Sequence, residues 1–211
     1  GRMHEQIAAF PSKHFYPQSL LPAQEWQSQR WESSFPECKN IFLRNVASSR
    51  ITFFSTEQLI SSNISSKTNE YEADIVVEIV KSLETVYAHD KRNFNVRNIG
   101  IIAPYRNQIA LIKHKLAEAN VADYENIMVD TVERFQGSQR DVIIISFCVN
   151  KPYQLNFLCN LNDDGTVDRK LNVSLTRARQ QLFMVGNREI LRKHPIYATL
   201  MDFHKKQLVI I

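Results

Sequence analysis

The feature that most constrains the fold is an alternation of two periodicities along the chain. Short runs rich in β-branched residues and phenylalanine recur at Ile41–Leu43, Ile51–Phe54, Ile99–Ala103, Ile127–Val129, Val142–Cys148 and Leu182–Val185. Apart from Thr52 and Ser146 they are without polar side chains, the pattern of strands buried on both faces. Helical spacing lies between them. In Glu70–Tyr87, Ile75, Val76, Ile79, Val80, Leu83 and Tyr87 recur at three-to-four intervals and form one core-facing stripe. Asn69, with Glu72 three residues later, predicts a capping box at the start of that helix. A second amphipathic helix follows Pro104, with Ile109, Ile112 and Leu116 on one face. Strands alternating with helices predict a doubly wound α/β fold: a mostly parallel sheet with helices on both faces. No internal repeat or interdomain linker interrupts the pattern, so residues 1–211 are expected to form one domain. Its long loops are expected near 55–68, which is serine-rich, and 151–171, which turns at Asp163-Asp164-Gly165.

Composition narrows the class. The chain is 44% hydrophobic and 23% charged, ordinary for a folded globular protein. No apolar run approaches the roughly 20 residues of a membrane span, and no signal-peptide pattern opens the chain, so cytoplasm is the expected compartment, or the nucleus in a eukaryote. Cys38, Cys148 and Cys159 form no C-x-x-C pair, which supports neither a zinc site nor a disulfide scaffold. Cys148, in an apolar run, reads as a small buried hydrophobe. His4 and His14 lack partners at ligand spacing, so no metal site is expected. The net charge of +4 and pI near 9.0 fit a polyanionic partner, but mildly.

In open parallel sheets ligands bind beyond the carboxyl ends of the strands. Three segments there mix arginine, amide and hydroxyl groups: Pro104–Gln108 after the third run, Val129–Asp141 around the fourth, and Leu171–Arg179 before the last. Such groups suit phosphate recognition, although any one segment alone reads more simply as a solvated rim. All three are expected on one edge of the sheet.

These segments resemble the last motifs of superfamily 1 helicases, in the branch of the eukaryotic mRNA-surveillance and DNA-replication helicases. Pro104-Tyr105-x-x-Gln108 resembles the family's P-Y-x-x-Q. Val132 through Asp141 resembles V-D-x-F-Q-G-x-E-x-D, and Leu171 through Arg179 resembles L-N-V-A-L-T-R-A. Arg2-Met3-His4 resembles the end of Q-Y-R-M-H, with Phe10-Pro11-Ser12 following in place. The resemblance covers nearly the whole chain and implies the second, C-terminal RecA-like motor domain. The family's Q-Y is missing and Gly1 stands before Arg2, as expected of a deliberate cut. No G-x-x-x-x-G-K-[ST] phosphate loop and no strand ending in Asp-Glu is present. ATP and Mg²⁺ are therefore expected to be held mainly by an N-terminal RecA-like domain outside this sequence, and the 211 residues alone are expected to be inactive.

The resemblance also implies roles. Arg177 and Arg2 are expected to reach the γ-phosphate from the second domain, as arginine fingers do. Arg179, two positions on, is expected to share a helix with Arg177 and point away from it. Gln139 stands where the family has a glutamate that accepts from ribose hydroxyls; an amide oxygen can also accept. Gln136 and Gly137 are expected to shape that turn and to contact the nucleotide with Gln139, unless Gly137 serves only to satisfy a positive φ. Glu133 either orients an arginine or is a plain surface charge. Pro104, Tyr105, Gln108 and Thr131 are expected to line a strand channel, Tyr105 either stacking on bases or capping the core, and Thr131 donating through its hydroxyl or N–H. The implied partner is single-stranded or duplex nucleic acid, DNA favoured over RNA.

Two other classes remain as alternatives: a non-catalytic nucleic-acid-binding or scaffold module on a helicase fold, and a self-contained hydrolase using Asp130 or Asp141. Neither aspartate has a histidine, serine or metal partner at a recognisable spacing. Asn160-x-Asn162-x-Asp164-Gly165 resembles an EF-hand opening, but Leu171 occupies its twelfth position. The sequons at Asn63 and Asn172 have no secretory context.

Overall fold

A computed structural model describes residues 3–16, 21–59, 65 and 67–211. Among them the helices are α1 (Glu5–His14), α2 (Ile41–Ser48), α3 (Glu70–His89), α4 (Arg106–Glu118), α5 (Leu155–Leu158), α6 (Arg169–Thr176), α7 (Arg188–Leu191) and α8 (Pro195–Phe203). The strands are β1 (Ile51–Ser55), β2 (Ile99–Ile102), β3 (Met128–Asp130), β4 (Arg140–Ser146), β5 (Ala178–Gly186) and β6 (Leu208–Ile210). They form one sheet of order β3-β2-β4-β5-β1-β6, parallel at every pairing.

Both faces of the sheet are buried, which is why the middles of the strands are mostly apolar. Successive side chains point to opposite faces. On β4, Ile144 joins one core while Ile143 and Ile145 join the other. On β5, Phe183 and Val185 oppose Leu182 and Met184 in the same way. The first core is closed by α2, α3 and α4 through Val46, Val76, Ile79, Leu83, Ile112 and Leu116. The second is closed by α1, α6 and α8 through Ile7, Phe10, Leu171, Leu175, Tyr197 and Leu200.

Four expectations need correction. Ile41–Leu43 opens α2 and is not a strand: the Asn40 side chain accepts from the N–H groups of Phe42 and Leu43. That N-cap overrides a run whose period is ambiguous at such length. The capping box at α3 is half formed. Asn69 Oδ1 accepts from Glu72 N at 2.9 Å, while the Glu72 carboxylate turns inward and bonds elsewhere. Arg177 and Arg179 do not share a helix: α6 ends at Thr176, Arg177 is its C-cap, and Arg179 lies in β5. The three motif segments also do not share an edge. Pro104, Tyr105 and Thr131 follow the carboxyl ends of β2 and β3, whereas Gln139 and Arg177 immediately precede the amino ends of β4 and β5. β6 is an additional edge strand beside β1.

Of the expected loop 55–68, residues 60–64 and 66, including the Asn63 sequon, lie outside the described residues. Residues 151–171 hold a 3-10 turn (Pro152–Gln154), α5, and a hairpin closed by the antiparallel bridge of Leu161 with Asp168. Its turn contains Gly165, as expected, at φ +69°. No helix among the described residues is long and apolar enough to cross a membrane.

Candidate functional site

At the carboxyl edge, the loops after β2 and β3 face α6 and α5 across a cavity of about 250 Å³. Pro104, Tyr105, Thr131, Glu133, Phe157 and Lys170 line it, with Ile145 and Ser146 of β4 beside them. Tyr105 is half-buried at the N-cap of α4, and its hydroxyl accepts from Gln154 Nε2 at 3.3 Å. Burial raises its phenol pKa. Thr131 N donates to Asp130 Oδ1 at 2.8 Å, and the Thr131 side chain hydrogen-bonds to the Glu133 carboxylate. Partial burial would raise the Glu133 pKa, but hydrogen bonds from its own N–H, Thr131 and Lys170 hold it below the usual carboxylate value. Lys170 Nζ lies 3.3 Å from Glu133 Oε1, so the cation beside Glu133 is a lysine, neither the arginine nor the unpaired surface charge that the sequence left open.

Gln108, expected at the strand, has no exposed surface to offer. Its Oε1 accepts from Asn69 N at 2.7 Å, while Nε2 donates to Asn69 O and to Ser146 Oγ. It clamps the starts of α3 and α4 to the end of β4, directly behind the cavity. Glu72 completes this network and was not foreseen. Fully buried, it accepts from Ser146 Oγ at 2.7 Å and Cys148 N at 2.8 Å. Its Oε1 is buried with no partner among the described residues, and burial pushes its pKa up to about 7. Its place was legible, because position 72 continues the face of Val76, Ile79 and Leu83 one turn earlier. Cys148 is buried, as expected.

The amino edge is built differently. Thr131 leads into a 3-10 turn (Val132–Phe135) that crosses beneath β2, with Phe135 fully buried. Gly100 makes room for it: a Cβ there would lie 2.5 Å from Phe135 Cε1 and 2.8 Å from Ile143 Cδ1. The chain then turns at Gly137, whose φ of +81° favours glycine and whose Cβ position is open space. Gln136 and Gly137 are exposed and Gln139 is half-buried. Arg140 N donates to Arg177 O at 3.0 Å, bringing the Gln136–Gln139 turn alongside Arg177. The Arg177 guanidinium donates to Val173 O, Ser138 O and Thr176 Oγ1 at 3.3–3.4 Å. These neutral acceptors hold it at the C-terminal end of α6, where a cation complements the helix dipole.

Arg179 pairs with Asp141 at 3.4 Å and lies 5.5 Å from the Trp26 ring. Its carbonyl accepts from His4 N at 2.9 Å, which docks the Met3-His4 segment on this edge. His4 is buried as the N-cap of α1, its Nδ1 accepting from Gln6 N and its Nε2 facing Gln29 O. Arg2 lies outside the described residues. Among the described residues no group of three or more His, Cys, Asp or Glu side chains is placed to hold a metal ion.

Comparison with known proteins places this architecture. A family model described as an AAA domain matches residues 2–189. The chain is 33% identical over its full length to "Regulator of nonsense transcripts 1" of Dictyostelium discoideum, covering 15% of that protein. It is 34% identical over 95% of its length to "Helicase sen1" of Schizosaccharomyces pombe, covering 11% of it. It is 37% identical over 62% of its length to "DNA polymerase alpha-associated DNA helicase A" of Saccharomyces cerevisiae, covering 17% of it. The chain thus spans a small part of each relative. It belongs to the AAA domain family and, within it, to the C-terminal domains of superfamily 1 helicases.

Proposed function

We propose that the chain is one half of an ATP-driven nucleic-acid motor, whose two edges serve different ligands. The amino edge presents Arg177 to the γ-phosphate of a nucleotide held by a first RecA-like domain, a role shared by Arg2, which lies outside the described residues. Gln139, on the turn made by Gln136 and Gly137, accepts from the ribose. ATP and Mg²⁺ supply the phosphoryl chemistry from that other domain, and what this chain adds is a planar cation that stabilises the charge on the transferring group. The carboxyl edge takes the strand: Pro104 and Tyr105 form its wall, Thr131 supplies a hydroxyl, and Gln108 acts from behind by fixing the start of α4. One relative is named for transcripts and another for DNA, so the reading drops the preference for DNA and covers a single strand of either kind.

The observation that carries this reading is the Gln136–Gln139 turn hydrogen-bonded to Arg177 at one edge, continuous in chain with Thr131 at the other. The test is made in the full-length parent, because ATP binding belongs to its other half. Arg177→Ala should leave nucleotide affinity intact and lower strand-stimulated turnover by about 10²–10⁴-fold, and Arg177→Lys should restore little, lacking the fork. Near-wild-type turnover in Arg177→Ala would remove Arg177 from the nucleotide site, and a wild-type parent without strand-stimulated turnover would favour the non-catalytic scaffold instead.

A further inference from the structure

Residues 152–158 form a continuous helical segment, the Pro152–Gln154 turn running into α5, and it hangs beside the cavity. Two aromatics four positions apart on it face solvent: Tyr153 is 52% exposed and Phe157 67% exposed. Single exposed apolar side chains are ordinary. Phe157 differs because it also lines the cavity shared by Tyr105 and Thr131. The segment is fixed, too. Gln154 is fully buried, accepts from the N–H groups of Asn150 and Lys151 at 2.9 Å, and donates to the Tyr105 hydroxyl. The surrounding charge suits a polyanion: Arg106 and Lys151 are exposed, one adjoining Tyr105 and the other opening the segment. Lys170 is 36% exposed in its pair with Glu133, and such solvent-facing pairs contribute only about 0–1 kcal/mol, so an incoming phosphate can compete for it.

We infer that this segment is a second wall of the strand channel, in which Phe157 stacks on one base at the cavity mouth while Lys170 leaves Glu133 for a strand phosphate. The inference rests on the carboxyl edge being the strand face. Pockets that enclose whole drug-sized ligands measure roughly 300–1,000 Å³. At about 250 Å³ this one suits a single planar ring, with the sugar and phosphate left outside among the cations. An aromatic face accepts any base, so the contact adds affinity without sequence preference.

The test compares binding of oligothymidylate with binding of an equally long strand lacking its bases, at low salt, to the whole chain. The wild type should prefer the base-bearing strand by roughly 5–100-fold. Phe157→Ala, at an exposed position, should abolish the preference. Phe157→Trp should keep it and report stacking by quenched indole fluorescence. Lys170→Ala should make the slope of log affinity against log salt shallower by about 1. A base preference that survives Phe157→Ala, or a salt slope unmoved by Lys170→Ala, overturns the second wall. If Thr131→Val and Tyr105→Ala still weaken binding in that case, the strand edge itself stands. Strand binding indifferent to Phe157, Tyr105 and Thr131 alike would sink both readings.

Discussion

The two edges of the sheet hold comparable residue types in opposite kinds of surroundings. At the carboxyl edge the polar groups that line the cavity are paired: Thr131 and Lys170 converge on Glu133, and Ser146 is backed by Gln108 and by Glu72, whose Oε1 behind it has no partner among the described residues. At the amino edge there is instead a ledge, where a glycine turn and a helix end present amide and guanidinium groups side by side. A cavity whose interior bonds are already made can receive a flat, weakly polar group without leaving buried atoms stranded. A ledge carrying guanidinium and amide side chains suits a concentrated negative charge brought by another body. Arginine, amide and hydroxyl content does not distinguish these roles; the connectivity of the hydrogen bonds does.

The comparison is broken most directly by crossing the edges. In the full-length parent, Tyr105→Ala should weaken strand affinity by roughly 5–100-fold through lost stacking and leave nucleotide affinity within about twofold, the reverse of the Arg177→Ala pattern. Equal losses in both assays from either substitution would mean that the edges are not separate sites. Gly100→Val tests whether they share a foundation. Phe135 must move to admit the side chain, so stability should fall by about 3 kcal/mol, the upper end for an overpacked core, read as a lowered denaturant midpoint at unchanged slope. An unaltered midpoint would show that the crossing segment packs loosely.

Glu72 sharpens the comparison through pH. Its folded pKa of about 7 lies above the ordinary 4.5, so between those values the folded chain holds a proton that the unfolded chain releases. Stability from this group is therefore greatest below about 4.5, declines as pH rises towards 7, and bears the full ionisation cost above 7. Glu72→Gln should raise stability at pH 8 by about 1–2 kcal/mol, and the gain should vanish by about pH 4.5; thermal melts across that range check it. A pH-independent effect would remove the ionised carboxylate from the account. The smallest change is expected from Arg179→Ala: its pair with Asp141 is 45% and 33% exposed, so the loss should stay under about 1 kcal/mol, with turnover near wild type.

The strands were readable in sequence wherever both faces are buried, because a run such as Val142–Ile145 has few other solutions. Ile41–Leu43 misled because three apolar residues carry no period, and the decisive signal was one polar residue earlier, at Asn40. The motif residues were legible as a set, but their distribution between edges was not. Placing Arg177 required knowing that α6 stops at Thr176, and nothing in Leu171–Arg179 breaks a helical pattern: no glycine or proline marks the end. The polar network behind the cavity was half visible. Glu72 stood on an apolar stripe, yet its partners Ser146 and Cys148 lie far along the chain and are joined only by the sheet.

The crossing from Thr131 to Gln139 is close to the shortest that its task permits. Asp130 is level with Ile102, which is level with Ile145, so Arg140 lies about five residues down β4 and two strands across, roughly 20 Å away. Nine residues, four of them wound into a 3-10 turn at about 2 Å each, reach only about 25 Å. The tether has slack for a residue or two and no more. Deleting three residues would detach Arg140 from its register, and a pull at one end has only the short Gln136–Gln139 turn to absorb it. The hairpin at 159–168 is the opposite case: its ends return to the Leu161–Asp168 bridge, so its length is mechanically free. Changes in loop length are accommodated there, and the short crossing keeps Thr131 and Arg177 at a fixed span.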